Sequence, residues 1–113
     1  MGQIISAIDI GSNGIRMIIS EVHYDAATKT QILREIKKIR SPIRLGKEVF
    51  LDKPISQNTL NDSLETFEHF RNINQKYRVK SCRCVATSAL REATNKNEFI
   101  EKVAKKSGIK IEI

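Results

Sequence analysis

Residues 3–10, QIISAIDI, are almost continuously apolar and rich in β-branched side chains. That pattern predicts a central strand covered on both faces. After Gly11-Ser12-Asn13-Gly14, the run IRMIISEVHY (15–24) predicts a second strand, and so short a connection makes the pair an antiparallel hairpin. Beyond the polar DAATKT, the stretch QILREIKKIRSPIRL alternates apolar and charged positions, with Ile32 and Arg34 followed by Ile36 and Lys37. It predicts a third, half-exposed strand ending near Pro42. From Ser56 the period lengthens: Leu60, Leu64, Phe67, Phe70, Ile73 and Tyr77 recur at steps of three or four, one stripe on a helix of about five turns, with Ser56 as N-cap.

SCRCVATS (81–88) returns to strand composition and runs into ALREAT, a single helical turn. Asn95 and Glu98 form a capping-box pattern for a helix carrying Phe99, Ile100 and Val103, closed by Gly108. IKIEI (109–113) begins a fifth strand. The order β-β-β-α-β-α-β is that of an α/β domain: a mixed sheet whose first three strands are antiparallel, with helices packed on it. Right-handed crossovers place strand four beside strand one and strand five beyond it. A fifth strand with an unpaired edge leads us to expect self-association of the isolated chain.

At 113 residues, with 40% hydrophobic and 29% charged positions, the chain has the size and composition of one soluble globular domain. Lys and Arg number 20 against 13 Asp and Glu, a formal charge of +7 that attracts anions of almost any kind. The bases group at Lys37, Lys38 and Arg40 and at Lys102, Lys105 and Lys106, spacing that also suits ordinary solvated faces. With 5% aromatic residues and no Trp there are few stacking platforms for single strands, so nucleic acid is not the expected partner. No apolar run approaches the roughly 20 residues of a membrane helix and no secretory signal opens the chain, so a cytoplasmic protein without membrane association is expected. MGQIIS matches the spacing of an N-myristoylation signal, but a strand starting at Gln3 leaves no tether for an acyl chain. Cys82 and Cys84, two apart on one strand face, suit buried reduced thiols better than a disulfide or a zinc site. His23 and His69 have no second ligand at metal spacing.

Candidate chemistry gathers at two strand ends. An ionised Asp9 at the end of an apolar strand is costly unless a donor, a metal ion or water compensates it. The turn that follows can converge backbone amides on an anionic oxygen; Gly11 and Gly14 permit positive φ and close approach, and Ser12 and Asn13 add short donors. Such a carboxylate beside such amides suits a phosphate with its divalent metal, although Gly-Ser-Asn-Gly is equally an ordinary hairpin turn. At the second end, Thr87 and Ser88 lead into a helical turn offering free N–H groups and hydroxyls, with Arg91 able to fork onto anionic oxygens. The plainer account is a helix cap with Arg91 paired to Glu92 or Glu98.

AIDIGSNGIRMII, IRLGKEV and VATSALREATNKNEFIEKV, in that order and spacing, closely resemble the start of the exopolyphosphatase and guanosine pentaphosphate phosphohydrolase family. The resemblance covers essentially the whole chain and implies an RNase H-like fold of the actin-like phosphotransferases, with residues 1–113 forming the first part of an incomplete amino-terminal lobe. It implies that Asp9 helps hold a catalytic Mg2+ and its water, that Gly11, Ser12 and Asn13 form the first phosphate loop, and that Arg91 contacts the phosphate chain. Thr87 and Ser88 join them as phosphate-binding candidates. Gly14 departs from the Ser usual in the family. The water-activating glutamate and the second, Gly-rich phosphate loop are expected beyond residue 113, so this chain alone is expected to be inactive. In the complete enzyme, a homodimer by the same reasoning, magnesium-assisted water would attack the terminal phosphorus of inorganic polyphosphate or of guanosine pentaphosphate. The alternatives are a nucleotide-dependent kinase of the same fold and a basic module that only binds polyanions.

Overall fold

A computed structural model describes residues 2–113. The elements follow in the order β1 (Gln3–Ile10), β2 (Ile15–Asp25), β3 (Thr30–Ser41), α1 (Leu45–Val49), α2 (Gln57–Lys76), β4 (Ser81–Ala86), α3 (Ser88–Glu92), α4 (Lys96–Ser107) and β5 (Ile111–Glu112). They build one five-stranded sheet of order β3-β2-β1-β4-β5. Strands β1, β2 and β3 form an antiparallel meander, and β4 and β5 add in parallel to β1 and β4.

Both parallel crossovers step the same way across the sheet, and right-handed connections then put every helix on one face. That corrects the expectation for β1, which is covered on one face only: Ser6, Ile8 and Ile10 are buried, whereas Gln3 and Ala7 are exposed and Ile5 and Asp9 half-buried. The core lies between this covered face and the helices. Ile8, Ile10, Ile15, Met17, Ile19 and Cys84 meet Leu60, Phe67 and Phe70 of α2 and Phe99 and Val103 of α4. Phe67 and Phe70 pack edge to face at 5.6 Å. A buried Ser6 hydroxyl donates to Asn74 Oδ1 at 2.8 Å, tying β1 to α2.

Ser56 caps α2 as its sequence predicts, its hydroxyl accepting from the Thr59 N–H at 3.2 Å. Asn95 does not complete a capping box. Its side chain instead accepts from the Ile55 N–H and donates to the Ile55 carbonyl, both at 3.0 Å, clasping the α1–α2 loop. Helix α1, for which the sequence pattern predicts no element, buries Leu45, Gly46 and Val49. The register of β2 with β3 shifts between Ile19 and Ser20, where Ile36 has no partner and forms a bulge. Beyond it the hairpin runs out past the helices, leaving Tyr24, Ile32 and Leu33 exposed in a molecule 52 Å long.

Candidate functional site

Strand pairing brings a row of side chains to the uncovered face at the carboxyl end of β1. Asp9 stands opposite Arg16 of β2, and Arg16 opposite Arg40 of β3; on the other side Asp9 faces Val85 of β4. Residues directly opposite share a face, so the row follows from register alone. Together with Gly11, Asn13 and Gly14, the residues Asp9, Arg16 and Arg40 line an open hollow of about 300 Å³.

The turn is built by its own backbone and by α1. Gly11 N–H donates to the Gly14 carbonyl at 2.9 Å, so one of the amides expected to face a ligand is already used. The N–H groups of Ser12, Asn13 and Gly14 have no acceptor among the described residues. Neither Gly11 nor Gly14 adopts a positive φ, which corrects the expectation that the turn needs it. Close approach is the reason for glycine here: a Cβ on residue 11 would lie 3.3 Å from the Gly14 oxygen, and one on residue 14 would lie 3.1 Å from Arg40 Nε. Ser12 turns its carbonyl to the Gly46 N–H at 2.9 Å, and a Cβ on Gly46 would meet the Ser12 Cβ at 3.0 Å. Helix α1 thus braces the turn from behind.

Asp9 accepts from Arg16 Nη2 at 3.3 Å, with the two side chains 45% and 48% exposed. An ion pair so accessible to water contributes little, and either partner can exchange it for a ligand at small cost. Arg40 Nη2 reaches the Asn13 carbonyl at 3.4 Å. The hollow therefore gathers two guanidinium groups and one carboxylate beside the unpaired amides of Asn13 and Gly14, a set that favours a multiply charged oxyanion. Asp9 is its one carboxylate, and no cluster of three His, Cys, Asp or Glu suited to a metal occurs among the described residues. Mg2+ is commonly held by one or two carboxylates together with phosphate oxygens and waters, so a lone Asp9 beside an anion site fits that ion.

The residues after β4 are placed differently. Thr87 N–H and hydroxyl both bond the Ile10 carbonyl, at 3.1 and 3.3 Å, so this side chain anchors the end of β1. Ser88 and Arg91 are exposed on α3, and none of Thr87, Ser88 and Arg91 lines the hollow. Arg91 forms no ion pair with Glu92 or Glu98; Glu98 pairs with Lys102 at 3.0 Å. Arg16 and Arg40 are not among the site residues the sequence suggests, Arg40 entering there only as one of a basic group. The signal for Arg16 is its place opposite Asp9 across the hairpin, whereas Arg40 depends on a register that the bulge resets. A hollow of about 460 Å³ between α1 and α2 includes Glu48, whose carboxylate is committed to the Thr59 hydroxyl at 2.7 Å and the Ser56 N–H at 3.3 Å.

Residues 22–113 match the family model described as Ppx/GppA phosphatase family. The chain is 37% identical over 108 residues to the bifunctional 3-dehydroquinate synthase/phosphatase of Fusobacterium nucleatum, covering 94% of this chain and 16% of that protein. It is 29% identical to the guanosine-5'-triphosphate,3'-diphosphate pyrophosphatase of Vibrio parahaemolyticus, covering 96% of this chain and 20% of that one. The solved exopolyphosphatase of Cytophaga hutchinsonii superposes with a TM-score of 0.84 at 25% identity, over 97% of this chain and 33% of its own. The chain thus spans a fifth or less of these two curated relatives and a third of the solved structure. Its sheet and helices have the actin-like, RNase H-like arrangement of that structural group.

Proposed function

The chain belongs to the Ppx/GppA phosphatase family, and from that premise we propose that it forms the first part of the catalytic lobe of a phosphohydrolase that removes the terminal phosphate of inorganic polyphosphate or guanosine pentaphosphate. The observation that carries this reading is the hollow in which Asp9, Arg16 and Arg40 surround a turn with three unpaired amides. Amides fixed by the brace of Gly46 on Ser12 need no reorganisation as charge grows on a transferring phosphoryl group, and such preorganised donors are worth more than mobile ones. The two arginines spread further positive charge beside them. Asp9 would hold Mg2+, which supplies charge neutralisation and Lewis acidity at the phosphoryl oxygens. Arg91, exposed one helical turn beyond Thr87, belongs to the reading as a contact for substrate outside the hollow, with Ser88 next to it. The reading also expects the water-activating glutamate to come from outside residues 1–113 and the complete protein to be a homodimer.

The test is phosphate release by the complete protein from polyphosphate, from guanosine pentaphosphate and from ATP offered with acetate or a sugar, each with and without magnesium. Magnesium-dependent release from one of the first two substrates, reduced at least about a hundredfold in Asp9→Asn, is expected. Phosphoryl transfer from ATP to an acceptor would instead indicate a kinase, and full activity in Asp9→Asn would remove Asp9 from the site.

A further inference from the structure

Arg40 has no carboxylate partner within ion-pair distance among the described residues, unlike Arg16 and Arg83, which pair with Asp9 and Glu112. It stands in register with Arg16, and like charges directly opposite one another destabilise a strand pair. Its one polar contact among the described residues is the long bond to the Asn13 carbonyl. Nothing in the packing of an exposed edge-strand residue calls for this arrangement. What permits it is Gly14: a Cβ there would come within 3.1 Å of Arg40 Nε, 3.4 Å of Nη2 and 3.2 Å of the Ser41 carbonyl. Since Gly14 keeps an ordinary backbone, glycine serves here to leave room above the turn, and the guanidinium fills that room.

We propose that Arg40, lying over Gly14, is a substrate-contacting residue whose guanidinium takes the oxygens of a phosphoryl group adjacent to the one held by the turn. The assignment rests on the functional reading above and adds to it a second phosphate position on the uncovered sheet face. A planar fork can grip two oxygens of one phosphoryl group, which a lysine ammonium cannot do in the same geometry. Where a hydroxyl at position 14 would occupy the turn, this chain has a cation from the neighbouring strand.

The test is calorimetric titration of the 113-residue chain with tripolyphosphate and magnesium, at low and at raised salt. Arg40→Gln is expected to weaken binding about tenfold to a hundredfold, and Arg40→Lys to recover only part of it. Gly14→Ala changes no charge, yet should lose affinity comparably by displacing the guanidinium, and combining it with Arg40→Gln should add little. Lys38 lies two residues away on the same strand, outside the hollow, so Lys38→Gln removes the same charge without the contact. Its effect should stay under about threefold and fade as salt screens it. Equal losses in Arg40→Gln and Lys38→Gln would overturn the assignment while leaving the functional reading intact. Should Gly14→Ala prove unfolded by circular dichroism, that comparison decides alone; a folded Gly14→Ala with full affinity would also overturn it. Absence of binding by the unsubstituted chain would overturn this assignment, whereas the functional reading stands or falls on phosphate release by the complete protein.

Discussion

An asparagine ahead of a helix ordinarily spends its side chain on the helix, yet Asn95 gives both halves of its amide to the backbone of Ile55, a residue 4% exposed. Removing the clasp leaves a buried donor and acceptor unpaired, so Asn95→Ala should cost about 1–3 kcal/mol, read as a lower urea midpoint at unchanged slope. An unaltered midpoint would mean that water replaces the amide. At Gly46, Ala would gain helix propensity but press on Ser12 Cβ and the Phe50 ring, each at 3.0 Å. The turn should shift and anion affinity fall, even where stability is kept. Burial pushes the Cys84 thiol up to about 12, with Cys82, Asp9 and Glu112 adding to the shift. In the native chain Cys84 should therefore resist a disulfide reagent while half-buried Cys82 reacts; rapid modification of both would contradict this. Asp9, Gly11 and Asn13 were legible because a charge and two short polar types interrupt an apolar run. Arg40 was not, because its position opposite Arg16 depends on the count of residues around Ile36.

Legibility also depended on element length. Helix α2 shows its stripe over twenty residues and is capped where Ser56 says it should be. Helix α1, five residues long, is too short to display a period, and its formation comes from burying Leu45 and Val49 and from the Gly46 contact with the turn. Strand β1 misled in the other sense: its apolar run suggested two covered faces, but Ile5 and Ala7 lie on the side the crossovers leave open. Between α1 and α2, burial pushes the Glu48 carboxyl up, but the Thr59 hydroxyl, the Ser56 N–H and hydroxyl and neighbouring Lys47 outweigh it and hold it below the ordinary 4.5. A folded-state value below the unfolded one means stabilisation that is complete above about 4.5 and is lost as pH falls through the lower, folded value. Stability measured on acidification should decline over that window, and Glu48→Gln should flatten the decline. An identical pH profile in the variant would place the acid sensitivity elsewhere.

At the scale of the molecule, the described chain is a sheet with helices on one side and an arm reaching past them. Before the bulge, β2 contributes Ile15, Met17 and Ile19 to the core, whereas beyond it Tyr24, Ile32 and Leu33 face solvent. Hydrogen exchange in residues 21–25 and 30–35 should therefore proceed by local opening, well below the protection of residues 15–19. Uniform protection along both strands would mean that the arm is held by something beyond its own pairing. No helix is long and apolar enough to cross a membrane among the described residues.

The strap from Thr87 to Ile10 joins positions 77 residues apart, whereas every wall of the hollow lies between Asp9 and Arg40. At a synthesis rate of about 5–20 residues per second, the three-stranded meander emerges on the order of seconds before β4. Its pairings are local and close early; the parallel pairing of β1 with β4 must wait for a long loop to close. During that interval Ile8, Ile10 and Met17 have no helices over them, and the nascent sheet presents an apolar surface and an unpaired edge at β1. The hollow is thus outlined by the earliest pairings, while the strap that fixes the end of β1 arrives only with β4, and in between the newly made chain exposes an apolar sheet face.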